Sequence, residues 1–174
     1  HVIDQMNVAI VESGSASRSK ESRDAFFLAN ALAPVPPSRR PEYFLKIEAV
    51  APSWLQTADL SREEIIFLSN VPKLDAASTK NLEKYVSEGG ALVIFPGAQV
   101  QPSAYNDDPV LGPMMPSKLG ARKSPDKEGK PIAWQARGYT HPVTSLWNDP
   151  KNGSLGTVRT TGYFPLEMQP AKDP

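Results

Sequence analysis

Four short apolar runs punctuate the first half of the chain, and each predicts one strand. Residues 7–11, NVAIV, form a short, mostly apolar run that ends at Glu12-Ser13-Gly14, the pattern of a buried parallel strand followed by a turn. Residues 43–50 alternate and predict a second strand. Residues 64–69, EIIFLS, and 91–95, ALVIF, predict the third and fourth. Between them the period changes. Ala25, Phe26, Leu28, Ala29 and Leu32 recur at helical spacing, so residues 20–32 predict an amphipathic helix that stops before Pro34. Asp75 predicts the cap of a second helix running to about residue 88, with Leu82, Tyr85 and Val86 inward and Gly89-Gly90 as its stop.

Residues 52–60, between the second and third strands, are too few for a full crossover helix and predict a degenerate helix or a turn around Trp54. Beyond residue 100 the pattern weakens. Residues 103–106 predict a short helix, and Met114, Met115 and Leu119 are expected to cap the core. Residues 130–137 and 156–164 read as late strands. Eighteen prolines, clustered at 34–41 and scattered after Pro96, predict a loop-rich second half.

Strands that alternate with helices predict an α/β fold with a mostly parallel sheet covered on both faces. The expected architecture is a flavodoxin-like three-layer α/β/α sandwich with the first strand central and a crevice at the carboxyl ends of the strands. Its rim would hold Glu12, Ser13, Gly14, Asn70, Val71, Pro96 and Gly97. The 174 residues fit a single domain, with a core at about residues 7–165, and the chain is expected to be a segment of a longer protein.

Composition narrows the chemistry. Lys and Arg number 19, as do Asp and Glu, and this balance argues against a nucleic-acid or anionic-lipid surface. The local basic group Arg122, Lys123, Lys127 and Lys130 reads as a solvated loop. No apolar run approaches the ~18 residues of a membrane span, so no direct insertion by this segment is expected. The chain has no cysteine, which excludes disulfides, thiolate zinc sites and a cysteine nucleophile together.

The run from Tyr85 through Glu88-Gly89-Gly90 to Phe95-Pro96-Gly97-Ala98-Gln99 resembles the helix, glycine pair and strand of class I glutamine amidotransferase-like domains. It is most similar to the divergent versions found in large bacterial membrane-anchored proteins, often after a von Willebrand factor A domain. Asn70-Val71-Pro72 and His141-Pro142 fit that group, and the resemblance spans roughly residues 7–147. In active members the fourth strand ends in Gly-x-Cys-x-Gly, a sharp turn that exposes the nucleophile beside backbone N–H donors. The corresponding stretch here is Val93-Ile94-Phe95-Pro96-Gly97. Phe95 takes the nucleophile position and has no nucleophilic atom. Pro96 removes a backbone N–H where an oxyanion hole would form. His141 precedes Pro142-Val143 rather than an acid two residues on. The resemblance therefore implies no catalytic residue, no metal and no cofactor. It also implies an extracytoplasmic location within a tethered parent protein, with that protein's other domains or envelope proteins as partners.

The remaining candidates are weaker motifs. The loop at residues 12–20, ESGSASRSK, precedes the first helix, where free N–H groups attract anions. Ser13, Ser15, Ser17 and Ser19 with Arg18 and Lys20 suit a phosphate or nucleotide ligand, although the stretch departs from a P-loop at Ser19 and Glu21. Ser17 to Lys20 matches S-x-x-K without its companion motifs. His141 reads as a structural or surface histidine. Asn106-Asp107-Asp108 reads as a turn, with a hard cation as the alternative. Trp54, Trp134 and Trp147 cover the core or mark a contact surface. Three functional readings follow: a non-catalytic interaction or ligand-sensing module, a flavodoxin-like phosphate-ligand binder, and a divergent hydrolase using Ser or Asp. The ligand-binding candidates are Glu12, Ser13, Gly14, Arg18, Lys20, Asn70 and Gly97.

Overall fold

A computed structural model describes residues 5–14, 24–125 and 130–168. The chain divides into two compact units, residues 1–119 with 168–174, and residues 120–167.

The first unit is built on a four-stranded sheet in which every pairing is parallel. Its strands are β1 (Met6–Glu12), β2 (Leu45–Val50), β3 (Ile65–Ser69) and β4 (Ala91–Phe95), in the order β2-β1-β3-β4. The first strand is central, as the flavodoxin-like order requires. Val8, Ile10, Ile66 and Leu68 are each at most 1% exposed, which explains why these strands read as continuous apolar runs.

Alternation along each strand separates two faces. Val8, Ile10 and Phe67 lie on one face, where they cluster with Ala25, Leu28 and Leu32 of helix α1 (Asp24–Leu32). Ala9, Val11, Ile66 and Leu68 lie on the other and are buried. The layer over that face is helix α2 (Ala76–Ser87), which buries Leu82 and Tyr85, and two 3-10 turns, Pro52–Gln56 and Leu60–Arg62, which bury Leu55 and Leu60. The missing crossover helix between β2 and β3 is thus replaced by the turn around Trp54. Asn81 of α2 fastens that turn by donating to the carbonyls of Leu55 (2.9 Å) and Ala58 (3.0 Å).

Asp75 caps α2 by accepting from the N–H groups of Ala77 and Ser78 at 3.0 and 2.9 Å. These bonds hold its carboxyl below the ordinary carboxylate range, the bond from the Ser78 N–H first. Gly89 ends the helix at φ +98°, a conformation that favours glycine.

Downstream, α3 (Pro102–Asn106), α4 (Leu111–Met114) and β5 (Ser117–Leu119) complete the first unit. Met115 and Leu119 are buried and Met114 is half-buried, in keeping with their expected capping role. The second unit is mostly turns. The late strands expected at 130–137 and 156–164 shrink to β6 (Ile132–Ala133) and β7 (Arg159–Thr160), which pair antiparallel, plus a bridge between Lys123 and Tyr163. Six of the eight residues at 130–137 lie outside β6, and all six are exposed on the surface. Alternation without a face to bury does not make a strand. A short helix, α5 (Pro142–Ser145), completes this unit. No described helix is long and apolar enough to cross a membrane.

Candidate functional site

The carboxyl ends of β1, β3 and β4 bring together Glu12, Ser69, Asn70, Phe95 and Gly97, with Asp24 at the start of α1. Asn70 organises this rim. It follows β3 at φ +54°, the single non-glycine residue with positive φ among those described. Asparagine tolerates this conformation better than other side-chain-bearing residues. Its backbone N–H donates to the Phe95 carbonyl at 3.0 Å, extending the β3–β4 ladder by one bond. Its side-chain amide donates to Asp24 Oδ2 at 2.9 Å, and its carbonyl oxygen accepts from the Gln99 N–H at 2.9 Å. One residue therefore joins the first helix, the third strand and the turn after the fourth.

Gly97 is required by that arrangement. A Cβ at residue 97 would lie 2.4 Å from both Cγ and Oδ1 of Asn70. The turn continues with Val100 N–H donating to Gly97 O (3.1 Å) and Gln101 N–H to Pro72 O (3.1 Å). Beneath it, the fully buried Tyr105 donates its hydroxyl to the Val71 carbonyl at 2.7 Å, and burial pushes its phenol well above the ordinary value.

Glu12 is the second anchor. Its side chain is buried and accepts from the Ala25 N–H at 3.0 Å. A carboxylate of the protein itself thus occupies an N–H group in the first turn of α1, the place where an anionic ligand would bind. Asp24 adds another carboxylate at the same helix start. Two negative groups there oppose a phosphate. Ser13 is half-buried and Gly14 exposed, whereas Ser15, Ser17, Arg18, Ser19 and Lys20 lie outside the described residues.

Phe95 lies at the end of β4. Its ring stacks on Phe67, with centroids 5.9 Å apart and planes 3° from parallel, and it remains 48% exposed. No titratable side chain lies at this position. The rim therefore combines the bonded pair Asn70 and Asp24, and Glu12 held by a backbone N–H, with an aromatic ring. None of the bonds pairs a hydroxyl or thiol with a base, the arrangement nucleophilic catalysis needs.

The other candidates serve local structure. His141 accepts from the Val143 N–H through Nδ1 at 3.2 Å and caps α5. Asp108 accepts from the N–H groups of Val110 (2.9 Å) and Leu111 (2.7 Å), and Asn106 exchanges two bonds with the backbone of Leu119. Asn106 and Asp108 thus serve turns, and the described residues contain no group of three or more His, Asp or Glu placed to hold a metal. Arg122 donates to the Thr161 carbonyl and to Ser124 Oγ, and Lys127 lies outside the described residues. Trp54 and Trp147 are half-buried and Trp134 is 49% exposed. The role of Asn70 as a clasp was hidden in the sequence. The available signal was an asparagine directly after an apolar strand, a place that demands a backbone reversal.

No protein-family model matches the chain, and no curated protein matches it either. Among solved structures, a beta-galactosidase from Bifidobacterium adolescentis is similar at 16% identity and a TM-score of 0.36, over 96% of this chain and 94% of the other, a likeness too slight to bear on fold or activity.

Proposed function

We propose that the chain is a non-catalytic interaction or ligand-sensing module whose contact region is the rim at the carboxyl ends of β1, β3 and β4. The observation that carries this reading is the self-satisfied rim. Asn70, Asp24 and Glu12 bond to each other or to backbone, and Phe95 presents a half-exposed ring where an enzyme of the resembling family would present its nucleophile. Exposed aromatic surface beside fixed polar groups suits recognition. The resemblance to glutamine amidotransferase-like domains supports placing the module in a larger bacterial envelope protein, facing other domains of that protein. Fold alone does not establish such a role.

The test pairs turnover with contact. Glutaminase and esterase assays of the purified chain should show no activity above that of a Phe95→Ala, Asn70→Gly variant. Native mass spectrometry should show which small molecules, if any, travel with the protein. Turnover that disappears with the rim substitutions overturns the reading. A retained phosphate or flavin ligand whose binding survives these substitutions would transfer the function to residues 12–20.

A further inference from the structure

The two outer strands of the sheet differ in how they meet solvent. An open edge offers unpaired N–H and C=O groups to any other chain, and monomeric proteins guard such edges with charge, proline or a bulge. β2 follows that rule, since Lys46 and Glu48 stand exposed within it. β4 does not. Its five residues, ALVIF, contain no charge and no proline, and among the described residues it pairs only with β3. Ala91 and Phe95 are exposed and the three residues between them are half-buried.

The direction of the free groups follows from the bonds that are made. Ala91 donates to the Glu64 carbonyl and Phe95 accepts from the Asn70 N–H, so residues 91, 93 and 95 turn their backbone groups toward β3. Alternate residues point the other way. Leu92 and Ile94 therefore direct their N–H and C=O outward.

This edge is complementary to itself. Antiparallel pairing of two copies about a two-fold axis at Val93 sets Leu92 opposite Ile94 of the second copy, and the reverse. Each such pair can exchange both N–H···O bonds, as hydrogen-bonded antiparallel pairs do. The same register sets Ala91, the smallest side chain of the strand, opposite Phe95, the largest, twice. Val93 meets its own copy across the axis at a non-hydrogen-bonded position. Pro96 and Gly90 bound the pairing at its two ends. We infer that β4 is a homodimerisation edge, through which a second copy of this chain joins the two four-stranded sheets into one continuous sheet. A two-fold contact is closed, so the uncharged edge leads to a dimer and not to a fibre. Five paired residues a side fall short of the ~1,200 Å² at which stable interfaces begin, so the association is weak and concentration-dependent. Phe95 belongs both to the rim and to this edge, whereas Leu92 and Ile94 belong to the edge alone.

Sedimentation of the full chain over a wide concentration range tests this. The expected result is a monomer–dimer equilibrium. In that dimer the Leu92 and Ile94 amides, open in the monomer, become protected from hydrogen exchange. Phe95→Lys should weaken association by about tenfold or more, and the double variant Ala91→Glu, Phe95→Lys should restore it, because opposite charges then face each other twice across the axis. Ile94→Pro, which removes an outward N–H that β3 does not use, should also weaken association, with circular dichroism confirming the fold. If that variant unfolds, the charge pair decides. A chain that stays monomeric, forms open-ended oligomers, or dimerises equally well as wild type, Phe95→Lys and the double variant overturns the inference.

Discussion

Asn70 concentrates several constraints in one side chain. Its amide spans Asp24 and the Gln99 N–H, its backbone holds φ +54°, and its Cγ leaves no room for a Cβ at Gly97. Asn70→Ala removes both side-chain bonds and puts an alanine in a conformation it disfavours, so we expect a loss of about 2–3 kcal/mol in denaturant unfolding. Gly97→Ala should cost about 1–3 kcal/mol through the clash alone. The two positions must also couple. In an Asn70→Gly background the obstructing atoms are gone, and Gly97→Ala should cost much less than in wild type. A double-mutant cycle that returned additive losses would show that the clash is relieved some other way. Glu63 is a second residue with a testable charge state. Burial first, then Glu48 and Glu64, raises its carboxyl above the ordinary value, with Lys46 opposing. A raised value in the fold means that its ionisation destabilises the fold as pH rises through the glutamate range. Glu63→Gln should therefore raise the melting midpoint at pH 7 and leave it unchanged near pH 3.

At the scale of elements, α2 depends on its first turn. Asp75→Ala should cost about 1 kcal/mol at neutral pH, because two N–H groups lose their acceptor. The sign of the pH dependence is opposite to that of Glu63. The Asp75 carboxyl is held below its ordinary value, so its contribution is complete above about pH 4 and fades as pH falls through the lower folded value. The difference between wild type and Asp75→Ala should accordingly narrow in acid, which unfolding curves at a series of pH values would show.

This cap was legible in the sequence, and the reason is general. Asp75 before a helical period and Gly89-Gly90 after it are local chemistry, read without knowledge of the fold. β1 and β3 were legible for a similar reason, since burial on both faces removes polar residues from a strand, whereas β4 was legible as an apolar run although none of its five residues is fully buried. The 3-10 turn at Pro52–Gln56 was foreseen as a degenerate helix or a turn around Trp54, from a connection too short for a full crossover helix. The rim was legible in part. Strand ends place Glu12, Asn70 and Gly97 in the right region, but the bond from the Ala25 N–H to Glu12 and the reach of Asn70 are tertiary facts that no periodicity encodes. At 130–137 and 156–164 the pattern misled, because alternating residues there have no shared face to bury.

Across the whole molecule, order is unevenly distributed. The first unit holds nearly all of the described buried hydrophobic residues, whereas the second contributes Phe164 alone. Few buried contacts and many short turns imply local opening at low free energy. Hydrogen exchange should find the slowest amides in β1 and β3, with those of residues 130–160 exchanging much faster. Equal protection in both units would contradict the burial pattern.

The clasp at Asn70 also gives the rim a chemical lifetime. Asparagine is among the residues that heat degrades. Hydrolysis of this one amide to a carboxylate would convert the donor facing Asp24 into a second anion. Attraction would become repulsion at the junction of helix, strand and turn, while the apolar sheet below stayed intact. Ageing of a stored sample would then loosen the rim before the core, as a single-site lesion that peptide mapping can locate.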